Sequence, residues 1–442
     1  MYLYFNNLKE LPNFGCRTTG MALEQLLAEK NSITRYDAME SVNFSGAWDT
    51  YARGPLKHGG VVPRRVYEYA WKNRRAIPRV YNVVNKLDGY SGGKHDYIAA
   101  DPYESVRNFQ KFSLTNPRIS ALADQMDQAD GVAINGEGTL IFGNPLRDAL
   151  YLLFVIAFAK MKGKPVYLLN AMIAPCPYNG ENVDIVARAL PLLKYCERIA
   201  VREPRSYEYL AEKIGSFNVE IIPDALFTWG EKIRSSVRLT RTEPWLCAPH
   251  PERADFTHFS FSQPYISISG SSSAWRHEPA IWTQFPKLIS ALQRKGYPVY
   301  CIEACDGDFF LEKMAKECGA FFIPKSSPVM AAAGVIAGSL VYVTGRYHPS
   351  IIASASGTPC VFLSSNSHKT LSIQTLLGYE NKIEYSICPS NEEIDKISKH
   401  VDWLIANRTP LSRSILSNFE RCGQHARRYA DVLDDTPRVA KT

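Results

Sequence analysis

Residues 341–363 read VYVTGRYHPSIIASASGTPCVFL, and their pattern decides the architecture. The run VYVT is apolar without alternation, as in a strand buried on both faces. It stops at Gly345, places Arg346 and His348 on either side of Tyr347, and passes into a helical stretch that starts with Pro349, a residue suited to a first helical turn. Ser350, Ala353, Ser354, Ala355, Ser356 and Gly357 keep that helix small on its faces, so backbone or ligand can approach closely. A second apolar run, PCVFLSS (359–365), follows. Strand, helix and strand with both strands apolar are the unit of a parallel sheet.

The same unit recurs outward from this stretch. Apolar runs lie at 2–6, 130–135, 165–171, 198–203 and 219–225, and again at 265–270, 298–304, 320–324, 340–345 and 359–365. Helical periodicity separates them at 17–29, 144–161, 181–194 and 204–214, then at 279–295, 308–318, 328–338, 348–356 and 367–378. Two such series predict two doubly wound α/β domains facing across a cleft. The first covers 1–235, with an insert at 36–118. A linker rich in charge, Pro and Thr covers 236–262, the second domain 263–390, and two terminal helices lie within 391–442, positioned to pack back across the first domain. In such sheets the ligand lies at the carboxyl ends of the strands.

The chain has 442 residues, too many for one ordinary core and enough for two. Apolar residues make up 45% and charged residues 21%, a globular balance. The formal charge of +7 is mild and spread out, which suits a small anion and argues against a nucleic-acid partner. Ten cysteines occur without a CxxC pair, so no zinc knuckle is expected and a reducing compartment fits. The longest apolar run, 149–160, is too short to span a bilayer, and the first residues lack the pattern of a secretory signal. These features predict a cytoplasmic protein.

Chemistry-bearing residues collect just after strands. NGEGT (135–139) sets Glu137 between Gly136 and Gly138, whose backbones can come close to a ligand; Glu137 is then an acid or base, or a solvated loop carboxylate. VREPRS (201–206) places Arg202 at a strand end and Arg205 in a first helical turn, a natural anion seat unless Glu203 or Glu208 pairs with them. Asp224 in PDALF is a turn cap or a catalytic carboxylate. SISGSSSAWRHEP (267–279) offers donors from Ser271 and Ser272 and charge from Arg276. His368 and Lys369 start a further helix. DGDFF (306–310) resembles a metal motif superficially but reads as a helix cap, so no metal site is expected. The collected cations of both halves imply a cleft for a phosphate or carboxylate donor.

The ordered set NGEGT, VREPRS, PDALF, GRYHPSIIASASGTP and HKTLSIQTLLG, with NFGCRTTGMALEQLL (13–27) before them, resembles the polysaccharide pyruvyl transferase family. The resemblance implies a GT-B-like fold of two Rossmann-like domains, with the acceptor bound on the first domain's side and the donor on the second's. It also implies transfer of pyruvyl from phosphoenolpyruvate, as co-substrate and with no further cofactor, to sugar hydroxyls of a surface polysaccharide or its lipid-linked precursor, forming a ketal. A lipid-linked oligosaccharide acceptor would bring the protein to the inner face of the membrane. By the same resemblance Arg202, Arg346 and His348 fall on donor-binding and catalytic positions, with His348 the general acid and Glu137 or Asp224 the base. Pro349 stands where the family usually has Gly, and Glu137 interrupts a turn that is usually more purely glycine. A GT-B glycosyltransferase using a CMP-, UDP- or GDP-sugar is the alternative for the same cleft. A silent carbohydrate-binding module fits less well, since it has no use for cations at strand ends. Trp48, Tyr51, Tyr67 and Trp71 are candidates for an acceptor surface, though core packing accounts for most such aromatics.

Overall fold

The computed structural model describes residues 1–8, 13–36, 97–114, 117–143, 147–178, 180–247, 260–277 and 280–434, with isolated positions between 66 and 84. Trp48, Tyr51, Tyr67 and Trp71 lie outside the described residues.

The first sheet is parallel, in the order β2-β1-β3-β4-β5-β6. Its strands are β1 (Tyr2–Phe5), β2 (Ile33–Tyr36), β3 (Gly131–Phe142), β4 (Val166–Pro175), β5 (Arg198–Val201) and β6 (Val219–Ile221). Every residue of β4 except the last is buried, as its apolar sequence, interrupted only by Asn170, requires. Among the helices that cover the sheet, α1 (Phe14–Ala28), α4 (Arg147–Met161), α5 (Val183–Tyr195) and α6 (Pro204–Ile214) connect strands, while α2 (Pro102–Ser113) and α3 (Pro117–Gln128) precede β3. α4 is buried almost all round, because it lies between the sheet and α2.

The second sheet is also parallel, β11-β10-β7-β8-β9. It is built from β7 (Ile266–Ser271), β8 (Val299–Ile302), β9 (Phe321–Ile323), β10 (Val341–Gly345) and β11 (Cys360–Phe362), with α8 (Ile281–Gln293), α9 (Leu311–Cys318), α10 (Val329–Gly338), α11 (Tyr347–Ser354) and α12 (Lys369–Leu376) around it. Strand order turns back between β1 and β3 in the first sheet and between β7 and β10 in the second. Those switch points open crevices at the carboxyl ends of the strands.

The domains are locked together. One continuous apolar cluster includes Tyr4, Phe14 and Ile233 from the first and Ile336, Tyr347 and Ile352 from the second. Residues 236–242, the start of the segment whose charge reads as a linker in the sequence, continue a helix begun at Gly230, α7 (Gly230–Thr242), packed on α10. Its buried face is Gly230, Ile233, Ser236 and Thr240, a narrow stripe that charged neighbours mask. The approach is so close that a β-carbon at Gly334 would stand 2.3 Å from the Ser236 carbonyl oxygen. The terminal helices are α13 (Asn391–Ala406), against α8, and α14 (Arg408–Ala426). α14 crosses to the 3-10 turn at Ala225–Trp229, and the Tyr429 hydroxyl donates to the Ile222 carbonyl at 3.0 Å. Among the described residues no helix is long and apolar enough to cross a membrane.

Candidate functional site

Both switch points face one another where α1 of the first domain meets α11 of the second. Gly15 is required there: a β-carbon on it would lie 2.7 Å from the His348 Cβ and 2.9 Å from Nδ1. α11 starts at Tyr347, so His348 is carried on its first turn and projects across the domain boundary.

Arg202, at the end of β5, is buried to 1% exposure. Its Nη1 donates to Asp224 Oδ2 at 3.1 Å, stands 3.0 Å from His348 Nε2 and lies 3.9 Å from Glu137 Oε1. The Tyr347 ring covers the guanidinium at 4.3 Å. Burial opposes the arginine's charge, but Glu137, Tyr347 and Asp224 more than restore it, so its pKa rises. Asp224 is fully buried behind this group. It accepts from Thr19 Oγ1 at 2.7 Å and from the Leu226 amide at 3.0 Å, and its Oδ2 meets His348 Nε2 at 3.1 Å. Burial would raise the Asp224 carboxyl, yet His348 and Arg202 hold it well below the usual carboxylate range. Asp224 thus caps the 225–229 turn and orients His348 and Arg202, with no face left toward a substrate.

Glu137 closes the group on the open side. The sequence reads its surroundings as a turn, but β3 runs on to Phe142 with a register shift between Glu137 and Leu140 in its pairing with β4. Glu137 holds φ +42°, in the left-handed region that costs a non-glycine residue about 1 kcal/mol or more. Its Oε1 lies 3.5 Å from His348 Nδ1, and Cys16 Sγ–H points to it at 3.8 Å. Burial pushes its pKa up, and Arg202, His348, the Gly138 amide and Lys369 bring it below the ordinary value. His348 therefore has a carboxylate oxygen near each ring nitrogen, and Nε2 also meets the Arg202 donor. That ring can carry its proton on either side.

From the second domain come Arg346 and Lys369. Arg346 Nη2 donates to Asp308 Oδ1 at 2.6 Å. Asp308 is fully buried, and burial raises its pKa against the pull of Arg346. The DGD sequence is therefore the seat of Arg346, and the capping expected of it is done by Cys305, whose Sγ accepts from the Gly307 amide at 3.3 Å. Lys369 starts α12, and its ammonium has no hydrogen-bond or ion-pair partner among the described residues. Burial, with Arg346 and Arg202 adding to it and Glu137 opposing, pushes its pKa down to about 8.

Other residues singled out in the sequence lie elsewhere. Gly136 serves strand packing, since a β-carbon there would be 2.5 Å from the Ala171 Cβ, whereas at Gly138 it would be 3.5 Å from Arg202 Nη2, an ordinary contact. Ser271 is buried and donates to the Ser364 carbonyl, and Ser272 bonds Ser365 and Asn366 at 2.7 and 2.9 Å, so both tie β7 to the segment after β11. Arg276 is exposed over the Tyr178 ring at 4.4 Å. Arg205 is exposed on α6. His368 meets Glu203 Oε1 at 2.9 Å, joining the domains, and Glu203 also caps α6 through the Arg205 and Ser206 amides.

The sequence reading passed over a polar floor beneath the site. Asn6 Nδ2 donates to the Asn135 carbonyl at 2.6 Å, Asn170 Nδ2 to Thr19 Oγ1 at 2.9 Å, and the Ala225 amide to Asn170 Oδ1 at 3.1 Å. The signal was available: the runs YLYFN, GVAIN and VYLLN all end in asparagine. Cys16, Glu137 and His348 also hold ligand atoms within 4.8 Å of one another, a spacing that suits a soft divalent ion. Arg202 lies 3.9 Å from that same Glu137 oxygen, so the space repels a cation and favours an anion.

Two Rossmann-like domains with charged residues gathered at facing switch points define a GT-B-type fold. The N-terminal domain of Candida albicans trehalose-6-phosphate phosphatase has this fold, with a TM-score of 0.54 at 9% identity over 98% of this chain and 95% of that one. So do the UDP-GlcNAc 2-epimerase of Methanocaldococcus jannaschii, solved with UDP-GlcNAc and UDP (0.50, 9%, over 96% and 99%), and that of Rickettsia bellii (0.50, 10%, over 97% and 97%). No curated protein matches the chain in sequence. Residues 56–367 match the polysaccharide pyruvyl transferase family, and the chain belongs to it.

Proposed function

We propose that the protein transfers pyruvyl from phosphoenolpyruvate to two hydroxyls of a glycan, releasing inorganic phosphate and leaving a ketal. One observation carries the reading: in a chain of this family, Arg202 and His348 converge on Glu137 at 3.9 and 3.5 Å. Three negative charges of donor would meet Arg202, Arg346 and Lys369. The donor's methylene carbon must gain a proton while a sugar oxygen bonds to the neighbouring carbon, and His348 supplies that proton. Glu137 takes the proton of the attacking hydroxyl and returns it to His348 across 3.5 Å. The second hydroxyl displaces phosphate, which leaves with the remaining proton. Asp224, buried behind the group, orients His348, so the base is Glu137. A phosphoenolpyruvate donor places the reaction in the cytoplasm.

A thermal-shift panel on the full chain tests this. Phosphoenolpyruvate is expected to raise the melting temperature, and UDP, GDP, CMP and their sugars are expected to leave it unchanged. The reverse pattern overturns the reading in favour of a nucleotide-sugar glycosyltransferase.

A further inference from the structure

Arg346 does not stand alone on its strand end. Its partner Asp308 lies under Gly270, where a β-carbon would come 2.1 Å from Asp308 Oδ1, and beside Gly307, where one would come 2.8 Å from Arg346 Nη2. Two glycines therefore make room for this one ion pair. The other oxygen, Asp308 Oδ2, accepts from the Ala304 amide at 3.1 Å. The carbonyl of Ala304 in turn accepts from the Phe14 amide, the first residue of α1, at 3.0 Å. Asn13, which caps α1 by accepting from the Cys16 amide, forms an isolated bridge with Cys305. A path of hydrogen bonds thus runs from the first domain's leading helix, through the two peptide groups that flank Ala304, to the guanidinium of the second domain.

We propose that Asp308 is a positioning residue that sets Arg346 toward the donor, and that the Phe14–Ala304–Asp308 path couples this placement to the contact between the domains. The proposal rests on the pyruvyl-transfer reading for the identity of the donor. α1 also carries Gly15 against His348, so the same helix start that steadies the acid steadies the anion ligand. A carboxylate held by a backbone amide and deprived of water presents Arg346 in one posture, which lowers the ordering cost when an anion arrives.

The test combines D308N, R346A and the double variant in the full chain, titrated with phosphoenolpyruvate by calorimetry. D308N is expected to weaken binding about tenfold in the wild-type background and to change it little in R346A, because it acts through Arg346. Equal losses in both backgrounds, or wild-type affinity in D308N, overturn the proposal. A ligand-free readout separates this from the donor assignment: hydrogen exchange at the first turn of α1 is expected to quicken in D308N. If the wild-type protein ignores phosphoenolpyruvate, the donor assignment fails, and the exchange result still decides the path. Unchanged exchange at Phe14–Cys16 refutes it. Should D308N not fold, R346Q breaks the pair from the other side and is read by the same exchange measurement.

Discussion

Replacing Asp224 by Asn keeps the shape of the side chain and removes its charge. One oxygen, turned to Thr19 and the Leu226 amide, can be kept. The new NH2 then faces Arg202 Nη1 and His348 Nε2, which lie 3.1 Å from the oxygen it replaces. Two charge-assisted contacts are lost at ~1.5–3 kcal/mol each, partly offset because Glu137 still faces Arg202. Breaking one side of a buried pair costs about 3–5 kcal/mol in all. The chain should remain folded, with a melting temperature lower by roughly 10 °C at ~2–4 °C per kcal/mol. The sign with pH follows from the depressed carboxyl. Its stabilisation is fully present above the unfolded pKa of ~3.9 and is lost as pH falls through the lower folded value, so D224N should flatten the acid limb of a stability–pH curve. Thermal and urea unfolding from pH 8 down to about pH 2 measure both. A loss below ~1 kcal/mol at neutral pH would show that Asp224 does not hold Arg202 and His348.

Donor binding should weaken as pH rises through about 8, where Lys369 loses its proton, and K369R should abolish that limb; calorimetric titration with phosphoenolpyruvate reads it. Between that value and the unfolded ~10.4 the unfolded chain binds more protons, so the free protein should gain stability over the same range. Gly136→Ala should cost ~1–3 kcal/mol by forcing a β-carbon to 2.5 Å from Ala171, measured by urea unfolding, with a further loss of turnover only if β3 shifts Glu137. E203A removes the cap of α6 and the partner of His368, and should lower stability by about 1–3 kcal/mol while making the domains easier to separate by limited proteolysis.

Strands buried on both faces leave an apolar record, which is why β10 stands within a residue of its sequence boundaries, whereas β4 runs on to Pro175, four residues past the end of the run read at 165–171. Arg346 and His348 are legible for the same reason, since they follow such a run directly. α7 is not legible: its buried stripe contains Gly, Ser and Thr, and its neighbours are charged. Asp308 resembles a cap because its sequence neighbourhood is local, whereas its partner is the distant Arg346 and the room for its carboxylate comes from Gly270 on another strand. Glu137 is misread as part of a turn because glycines surround it, while pairing with β4 resumes beyond it. Ser271, Ser272 and His368 bind protein partners, which their sequence does not reveal, because proximity to a strand end says nothing about which neighbour a hydroxyl or ring will bind.

The return of α14 across the first domain has a temporal meaning. The turn that begins at Asp224 is covered by Phe419, whose ring lies tilted against Phe227 with centroids 5.2 Å apart, and Tyr429 anchors Ile222 just before it. During synthesis the first sheet can emerge from the ribosome complete, yet the turn that begins at the residue steering its arginine stays uncovered until α14 has been translated. Nascent chains arrested before Phe419 should therefore be inert, and chaperones have a surface to hold until α14 arrives.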